Sequence, residues 1–352
     1  MIPTSDRTDR VTLGAFDDVI DVRSPAEFAE DHVPGAINLP VLDNDERARV
    51  GTIYVQESRF VARRIGAALV ARNIAAHLET VLKDKPASYA PLVYCWRGGQ
   101  RSNAMATVLA QVGWRPSLLT GGYRTYRRRV TAALYDAPAP ISVVLLDGFT
   151  GTAKTDILHR LAALGVQTLD LEGLADHRGS LFGGHAARAQ PSQKMFESRL
   201  CQAFERLDPA RPVVVEAESS KIGQVNLPPG LWKAMLAAPR VEIRAAAPAR
   251  ARYLTTAYVD ILSEPQAIAD ALAKLPRHHG AEQRAIWTAM AQAGDFVGLA
   301  ESLIEQHYDP AYERSRRLDA RRLLGVISVE RLDVEGIDRA AREVSGMVLE
   351  NG

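Results

Sequence analysis

The sequence predicts an α/β protein of two domains, each built on a parallel sheet, and three observations predict it. Short apolar strands (around 18–22, 36–39, 92–95 and 117–120) alternate with helical stretches in the first 137 residues, the pattern left by parallel strands with helical crossovers. The segment Asp136-Ala137-Pro138-Ala139-Pro140 is short, stiff and made of small residues, and a continuous apolar strand, Ile141 to Leu146, follows it at once. Two glycine-containing loops, at 95–102 and 147–155, each stand between such a strand and a helix. The expected division is a domain over 1–137 and a second over 138–352. The second turns mostly helical beyond residue 260, then closes on a strand-like Val326-Ile327-Ser328-Val329 and a helix from about Ile337.

Taken in order, the elements have local reasons. Val19-Ile20-Asp21-Val22 and Leu92-Val93-Tyr94 are short apolar runs of buried-strand type, and the alanine-rich stretch from Arg59 to Leu82 is a long helix. Residues 103–112 have the alanine, methionine and leucine content of a helix that the loop Cys95-Trp96-Arg97-Gly98-Gly99-Gln100-Arg101-Ser102 would open. A cysteine in such a loop faces backbone N–H groups and the positive end of the helix dipole, which favour its thiolate, and Arg97 and Arg101 add fixed positive charge. Cys95 is therefore the candidate nucleophile. Cys201, on the apolar stripe Phe196, Leu200, Phe204 and Leu207, is expected to be structural.

In the second domain, the strand ending at Leu146 runs into Asp147-Gly148-Phe149-Thr150-Gly151-Thr152-Ala153-Lys154-Thr155, and Ile157 to Leu161 continue as a helix. Strand, loop, Lys-Thr and helix are the order of a P-loop, in which backbone N–H groups wrap a diphosphate and the lysine reaches its terminal oxygens. Gly148, Gly151, Lys154 and Thr155 are the expected cradle. Ala153 stands where that pattern has a glycine, and a left-handed backbone there would cost about 1–2 kcal/mol. Val213-Val214-Val215-Glu216-Ala217-Glu218 reads as a buried strand that delivers Glu216 and Glu218 at its C-terminal end, where open α/β sheets place ligands. The strand closes on no aspartate, which argues against ordinary ATP hydrolysis. The loop 176–185 adds His177, Arg178 and Ser180, types that bind anions or move protons.

Composition narrows the class. The 352 residues, 47% hydrophobic, suffice for two cores. No stretch is long and apolar enough to span a bilayer, and the polar start Met1 to Arg7 lacks a signal-peptide pattern, so the expected location is the cytoplasm. Two cysteines make a disulfide framework or a cysteine-rich metal site improbable, and no metal ligand set is expected. The net charge of +1 carries no nucleic-acid signal, although arginine is concentrated beside aromatic residues at 123–129 and 312–322, including Arg127, Arg128, Arg129, Arg316 and Arg317. For either cluster taken alone, a solvated helix face with intrahelical ion pairs is the favoured reading.

The segments Val19 to Phe28, His32 to Pro40, the Cys95 loop and Leu119-Thr120-Gly121-Gly122-Tyr123 together resemble the rhodanese family, whose loop cysteine carries a transferable sulfur or selenium atom. Five residues separate Cys95 from Arg101, one more than in most sulfur-transferring members; this is the spacing of cysteine-dependent phosphatases, and it suits a tetrahedral oxyanion. A rhodanese-like domain joined to a P-loop NTPase-like domain, with Glu172 to Gly183, Gln190-Pro191-Ser192-Gln193, Glu216 to Gly223 and His307 to Tyr312, resembles the tRNA 2-selenouridine synthase family over nearly the whole chain. Departures are Ala153, Asp176 in place of an expected asparagine, and Ala217 in place of an expected acid.

The resemblance implies conversion of wobble 2-thiouridine in tRNA to 2-selenouridine through an S-geranyl intermediate. Geranyl diphosphate and selenophosphate would be co-substrates, no cofactor would be tightly bound, and Mg2+ is a candidate companion of the diphosphate. It also implies that Cys95 handles the selenium, that the P-loop holds the diphosphate, and that the arginine clusters meet tRNA. The competing expectations are a sulfurtransferase or cysteine-dependent phosphatase fused to a P-loop kinase-like domain, and a non-catalytic tRNA-binding adaptor.

Overall fold

The computed structural model describes residues 2–178, 189–262, 264–273, 275, 279–316 and 321–351. It divides into two compact units: Met1–Asp136 with Lys194–Glu205, and Ala137–Gln193 with Arg206–Gly352. The helix around Cys201 thus belongs to the first unit, whereas the division expected from the sequence places everything beyond residue 137 in the second.

In chain order the first unit contains β1 (Thr4–Ser5), α1 (Arg10–Leu13), β2 (Val19–Asp21), α2 (Pro25–Glu30), β3 (Ile37–Asn38), α3 (Asn44–Gln56), α4 (Arg59–Glu79), β4 (Leu92–Tyr94), α5 (Gln100–Val112), β5 (Ser117–Leu119) and α6 (Tyr123–Tyr135). Its sheet is wholly parallel, in the order β1-β5-β4-β2-β3, so β4 lies at the centre. Ile20, Val22, Leu39, Val93, Met105, Leu109 and Ile74 form the core between sheet and helices. Helix α2 begins with a capping box, in which the Ser24 side chain and the Glu27 carboxylate each take a backbone N–H of the first turn.

The second unit continues with β6 (Ser142–Gly148), α7 (Lys154–Ala163), β7 (Gln167–Leu169) and α8 (Leu171–Leu174); next comes α9 (Gln193–Phe204), which packs with the first unit from Lys194 on. Then follow β8 (Pro212–Glu216), the hairpin β9 (Lys221–Ile222) and β10 (Val225–Asn226), α10 (Pro229–Ala237), β11 (Arg240–Arg244) and α11 (Ala247–Ala257). A helical part is built from α12 (Val259–Leu262), α13 (Pro265–Ala273), α14 (Gly280–Ala293), α15 (Phe296–Leu303), a π-helical turn (Ile304–Tyr308) and α16 (Asp309–Arg316). The unit ends on β12 (Leu323–Ser328) and α17 (Val334–Asn351).

This second sheet is also wholly parallel, in the order β12-β11-β6-β8-β7, with β6 at the centre. Helix α17 covers it with Ile337, Ala340, Ala341, Val344 and Val348, a 3–4 spacing that makes one apolar face against α7. The helical part has its own core around the fully buried Trp287, whose indole N–H donates to Ser302 Oγ at 2.9 Å. Both sheets thus aim the C-terminal end of their middle strand at a glycine-containing loop, the edge at which α/β folds bind ligands.

Candidate active sites

In the first unit, β4 ends at Tyr94 and Cys95 sits at the floor of the loop, 2% exposed. The Gly99 N–H donates to Cys95 Sγ at 3.2 Å, and Ser102 Oγ lies 3.2 Å from the same sulfur. Burial pushes the thiol pKa up, but the Ser102 hydroxyl and the N–H groups of Ser102, Gly99 and Arg97 outweigh it and leave the thiol below its ordinary value. This is the arrangement the loop sequence implied: a sulfur at a helix N-terminus, ringed by donors.

The loop is clamped from its outer side. Gly122, at φ +61°, accepts a left-handed backbone, and a Cβ there would run into the Cys95 carbonyl. The Tyr123 N–H donates to that carbonyl at 2.8 Å. Beneath, the buried Arg23 guanidinium forks onto Asp21, donates to the Asp31 carbonyl at 2.6 Å and lies 4.0 Å from the Tyr123 ring centroid, fixing that ring against Trp96. Asp21 and Arg23 come from the segment that suggested the rhodanese family, and their work here is structural.

The two loop arginines differ. Arg97 is exposed, whereas Arg101 is paired with Glu27 at 2.8 Å, so its charge is already shared with the first turn of α2. The cluster on α6 divides too. Arg127 is bound to Glu197 and lies 3.8 Å from Asp31, and Arg129 is bound to Glu205 and donates to the Thr8 carbonyl at 2.7 Å. These pairs hold α9 on the first unit, leaving Arg124 and Arg128 as the exposed guanidiniums of the cluster. Cys201, whose thiol burial pushes up, is buried on α9 as expected of a structural residue.

In the second unit, Lys154 opens α7 and its Nζ donates to the Gly148 carbonyl at 2.9 Å. Burial works against its charge, but Tyr312, Glu218, Glu172 and Glu216 more than compensate, and its pKa lies above the ordinary value. Thr155 Oγ1 donates to Glu216 Oε1 at 2.7 Å and lies 3.2 Å from Glu172 Oε2. Glu216 is fully buried, with Oε2 lacking a hydrogen-bond partner. Burial first, then the neighbouring carboxylates, push Glu172 and Glu216 well above the usual carboxylate range.

Ala153 does adopt the left-handed backbone, φ +59° and ψ +31°, so the strain that glycine would avoid is present. Among the described residues, Asp176 is the other non-glycine residue at positive φ, +47°. Asparagine and aspartate tolerate that region better than most residues, which accounts for the side-chain type there.

Lys154, Thr155, Glu172, Arg178, Glu218 and Tyr312 line one polar cleft of about 870 Å³ including its open mouth. His177 sits at the edge of this region, its N–H donating to the Glu172 carbonyl at 3.0 Å, and Arg178 lies over the Tyr258 ring at 4.8 Å. Ser180 and Arg317 lie outside the described residues, and Arg316 ends α16. Gln190 and Gln193, singled out in the sequence, stitch backbone: Gln190 donates to the carbonyls of Ala175 and Ile222, and Gln193 exchanges hydrogen bonds with the Asn226 backbone.

Sequence reasoning gave no site role to Glu172, although it opens a quoted segment, and missed Arg250. The buried Arg250 guanidinium grips both Asp309 oxygens, at 2.9 and 2.5 Å, and donates to the Thr150 carbonyl at 3.1 Å, tying the end of the π-helical turn to the phosphate loop. Asp309 lay in a segment already quoted, but nothing local pairs it with an arginine 59 residues earlier.

A family model described as the AAA domain of tRNA 2-selenouridine synthase matches residues 141–283, and one described as the rhodanese-like domain matches residues 8–129. A tRNA 2-selenouridine synthase of Bordetella bronchiseptica is 33% identical over 339 residues, covering 87% of this chain and 90% of that protein. The chain belongs to the tRNA 2-selenouridine synthase family. A second member, from Pseudomonas syringae pv. syringae, is 32% identical over 338 residues, with the same coverage of both chains, and one from Chromohalobacter salexigens is 36% identical over 249 residues, 69% of this chain and 66% of its own. The rhodanese-like match ends within α6 and the other begins just before β6, so each model contains one of the two loops. No helix among the described residues is long and apolar enough to cross a membrane.

Proposed function

We propose that the protein replaces the sulfur of wobble 2-thiouridine in tRNA by selenium in two reactions, one at each loop. In the first, the thiocarbonyl sulfur attacks C1 of geranyl diphosphate; the carbon–oxygen bond breaks, diphosphate departs with its electron pair, and the base loses a proton. In the second, the Cys95 thiolate attacks the phosphorus of selenophosphate and the phosphorus–selenium bond breaks to release selenide; water then displaces the thiolate from the phosphorus, which leaves as phosphate. The released selenide forms the C2–Se bond, and the C2–S bond breaks to release geranyl thiol. Alkylation converts a poor leaving group into a thiol, which is why it comes first.

The observation that carries this reading is the chemistry of the phosphate loop: a lysine, the amides of a helix N-terminus and a threonine converge on one cleft, and β8 ends on Glu216 with no aspartate. Such a cradle stabilises a leaving diphosphate without a hydrolytic water. Thr155 Oγ1 and the unpartnered Glu216 Oε2 fit Mg2+, which keeps most of its waters and takes few protein ligands; bound there it would screen the diphosphate charge. In the first unit, the donors around Cys95 and the exposed Arg97 suit the oxyanion of selenophosphate.

The test is a nucleoside profile by mass spectrometry from purified protein, thiolated tRNA, geranyl diphosphate and selenophosphate. S-geranyl-2-thiouridine should appear with geranyl diphosphate alone, and 2-selenouridine only when selenophosphate is added. Selenouridine formed without geranyl diphosphate would overturn the sequence of steps, and tight ATP binding with no prenylation would favour a kinase-like second unit.

A further inference from the structure

Beside the phosphate cleft lies a second cavity that no step so far has used. It is lined by Leu254, Leu262, Phe296, Leu299, Ala300 and Leu303, among others, and measures about 550 Å³ including its mouth. The two spaces share Thr150, Leu254 and Tyr258 in their linings, so they lie side by side at the back of the phosphate loop. Contact there is close: a Cβ on Gly151, which sits at φ +82°, would come within 3.0 Å of Leu254 and 3.2 Å of Arg250. Arg250, Leu254 and Tyr258 are spaced by four, so one face of α11 and its cap presents the loop tether, the dividing leucine and the aromatic wall in succession.

We infer that this cavity holds the hydrocarbon tail of the diphosphate ester whose head occupies the Lys154 cradle, and that residues of α15 set the length of tail accepted. The inference rests on the proposed use of a prenyl diphosphate. The lining carries no charged or amide side chain, and its polar side-chain groups are the hydroxyls of Thr150, Thr255, Tyr258 and Tyr308, so it offers the edge of a nucleotide base little in exchange for water, whereas a hydrocarbon chain loses no hydrogen bond. An anion-binding cleft beside an apolar one matches an amphiphile with a phosphorylated end. Ala300 is the smallest residue of the lining, and a larger side chain there projects into the space the tail would fill.

Calorimetry on the full chain with inorganic diphosphate, dimethylallyl diphosphate, geranyl diphosphate, farnesyl diphosphate and ATP tests this. The wild type should bind geranyl diphosphate at least about tenfold more tightly than dimethylallyl diphosphate, since five carbons are added to the buried chain. Ala300→Phe should bring geranyl diphosphate down to the dimethylallyl level while inorganic diphosphate stays within about twofold, as expected when only tail burial is lost. Phe296→Ala covers the case in which Ala300→Phe fails to fold, and should shift preference toward farnesyl diphosphate. Unchanged geranyl diphosphate affinity in folded Ala300→Phe, an equal loss for inorganic diphosphate, or ATP as the ligand sensitive to Ala300→Phe would each overturn the inference. Tail-dependent binding that is lost in Ala300→Phe, without any prenylation of thiolated tRNA, would leave the cavity assignment standing and sink the proposed reaction instead.

Discussion

The loops at Cys95 and Lys154 share a plan, each following the middle strand of a five-stranded parallel sheet and opening a helix, yet they treat charge in opposite ways. The Cys95 loop neutralises itself: its amides converge on its own sulfur, and Arg101 is paired with Glu27. The Lys154 loop leaves its lysine on a neutral carbonyl among carboxylates and closes with a strained alanine. In one the donors are already spent on a sulfur, whereas the other has its cationic charge turned toward a cleft. The difference teaches that a common strand-loop-helix frame does not fix the chemistry; which donors are already spent does.

The largest effect expected from breaking the comparison is at Lys154. Lys154→Ala should lower prenylation by at least about 100-fold, the scale of losing one charge-stabilising donor, and all selenouridine made from thiouridine should vanish with it. Normal prenylation by that variant would place the donor site elsewhere. Cys95→Ser should spare prenylation and stop the second reaction, so that the S-geranyl nucleoside accumulates. Loss of the geranylated species as well would show that the two sites act as one.

Ser102→Ala sharpens the same side of the comparison. Because hydrogen bonding to the sulfur lowers its pKa, selenium incorporation should rise with pH and level off below the ordinary thiol range; the variant should move that midpoint upward, with little change at high pH. Glu172→Gln probes the other loop. An acid whose folded pKa is raised gives its full stability below its unfolded value near 4.5 and loses it as pH rises toward the folded value. The wild type without ligand should therefore melt progressively lower as pH increases above that point, and Glu172→Gln should flatten the slope. The smallest effect is Ala153→Gly: relief of the left-handed alanine is worth about 1–2 kcal/mol, set against roughly 1 kcal/mol of added chain entropy, for a net rise in melting temperature of a few degrees.

Both loops were legible in the sequence because their signals are local: an apolar strand, glycines and a helix start within a dozen residues. The left-handed backbone at Ala153 was legible for the same reason. Glu172, the Arg250–Asp309 tether and the apolar cavity were not, since each is assembled from segments far apart in the chain whose residues have no distinctive types. Arg127 and Arg129 show the opposite failure. Their cluster read as a surface for nucleic acid, but a helix some 70 residues later carries Glu197, with Glu205 just past its end, to meet them.

That late helix also governs how the protein can be made. The first unit is completed by residues 194–205, so during synthesis it waits with Arg127, Arg129 and the apolar positions facing Phe196 and Leu200 uncovered until the ribosome has delivered much of the second unit. Cutting the chain at the proline-rich linker would leave that state permanent. A separable first unit needs residues 1–136 with the 194–205 segment supplied to it, as a fused helix or an added peptide.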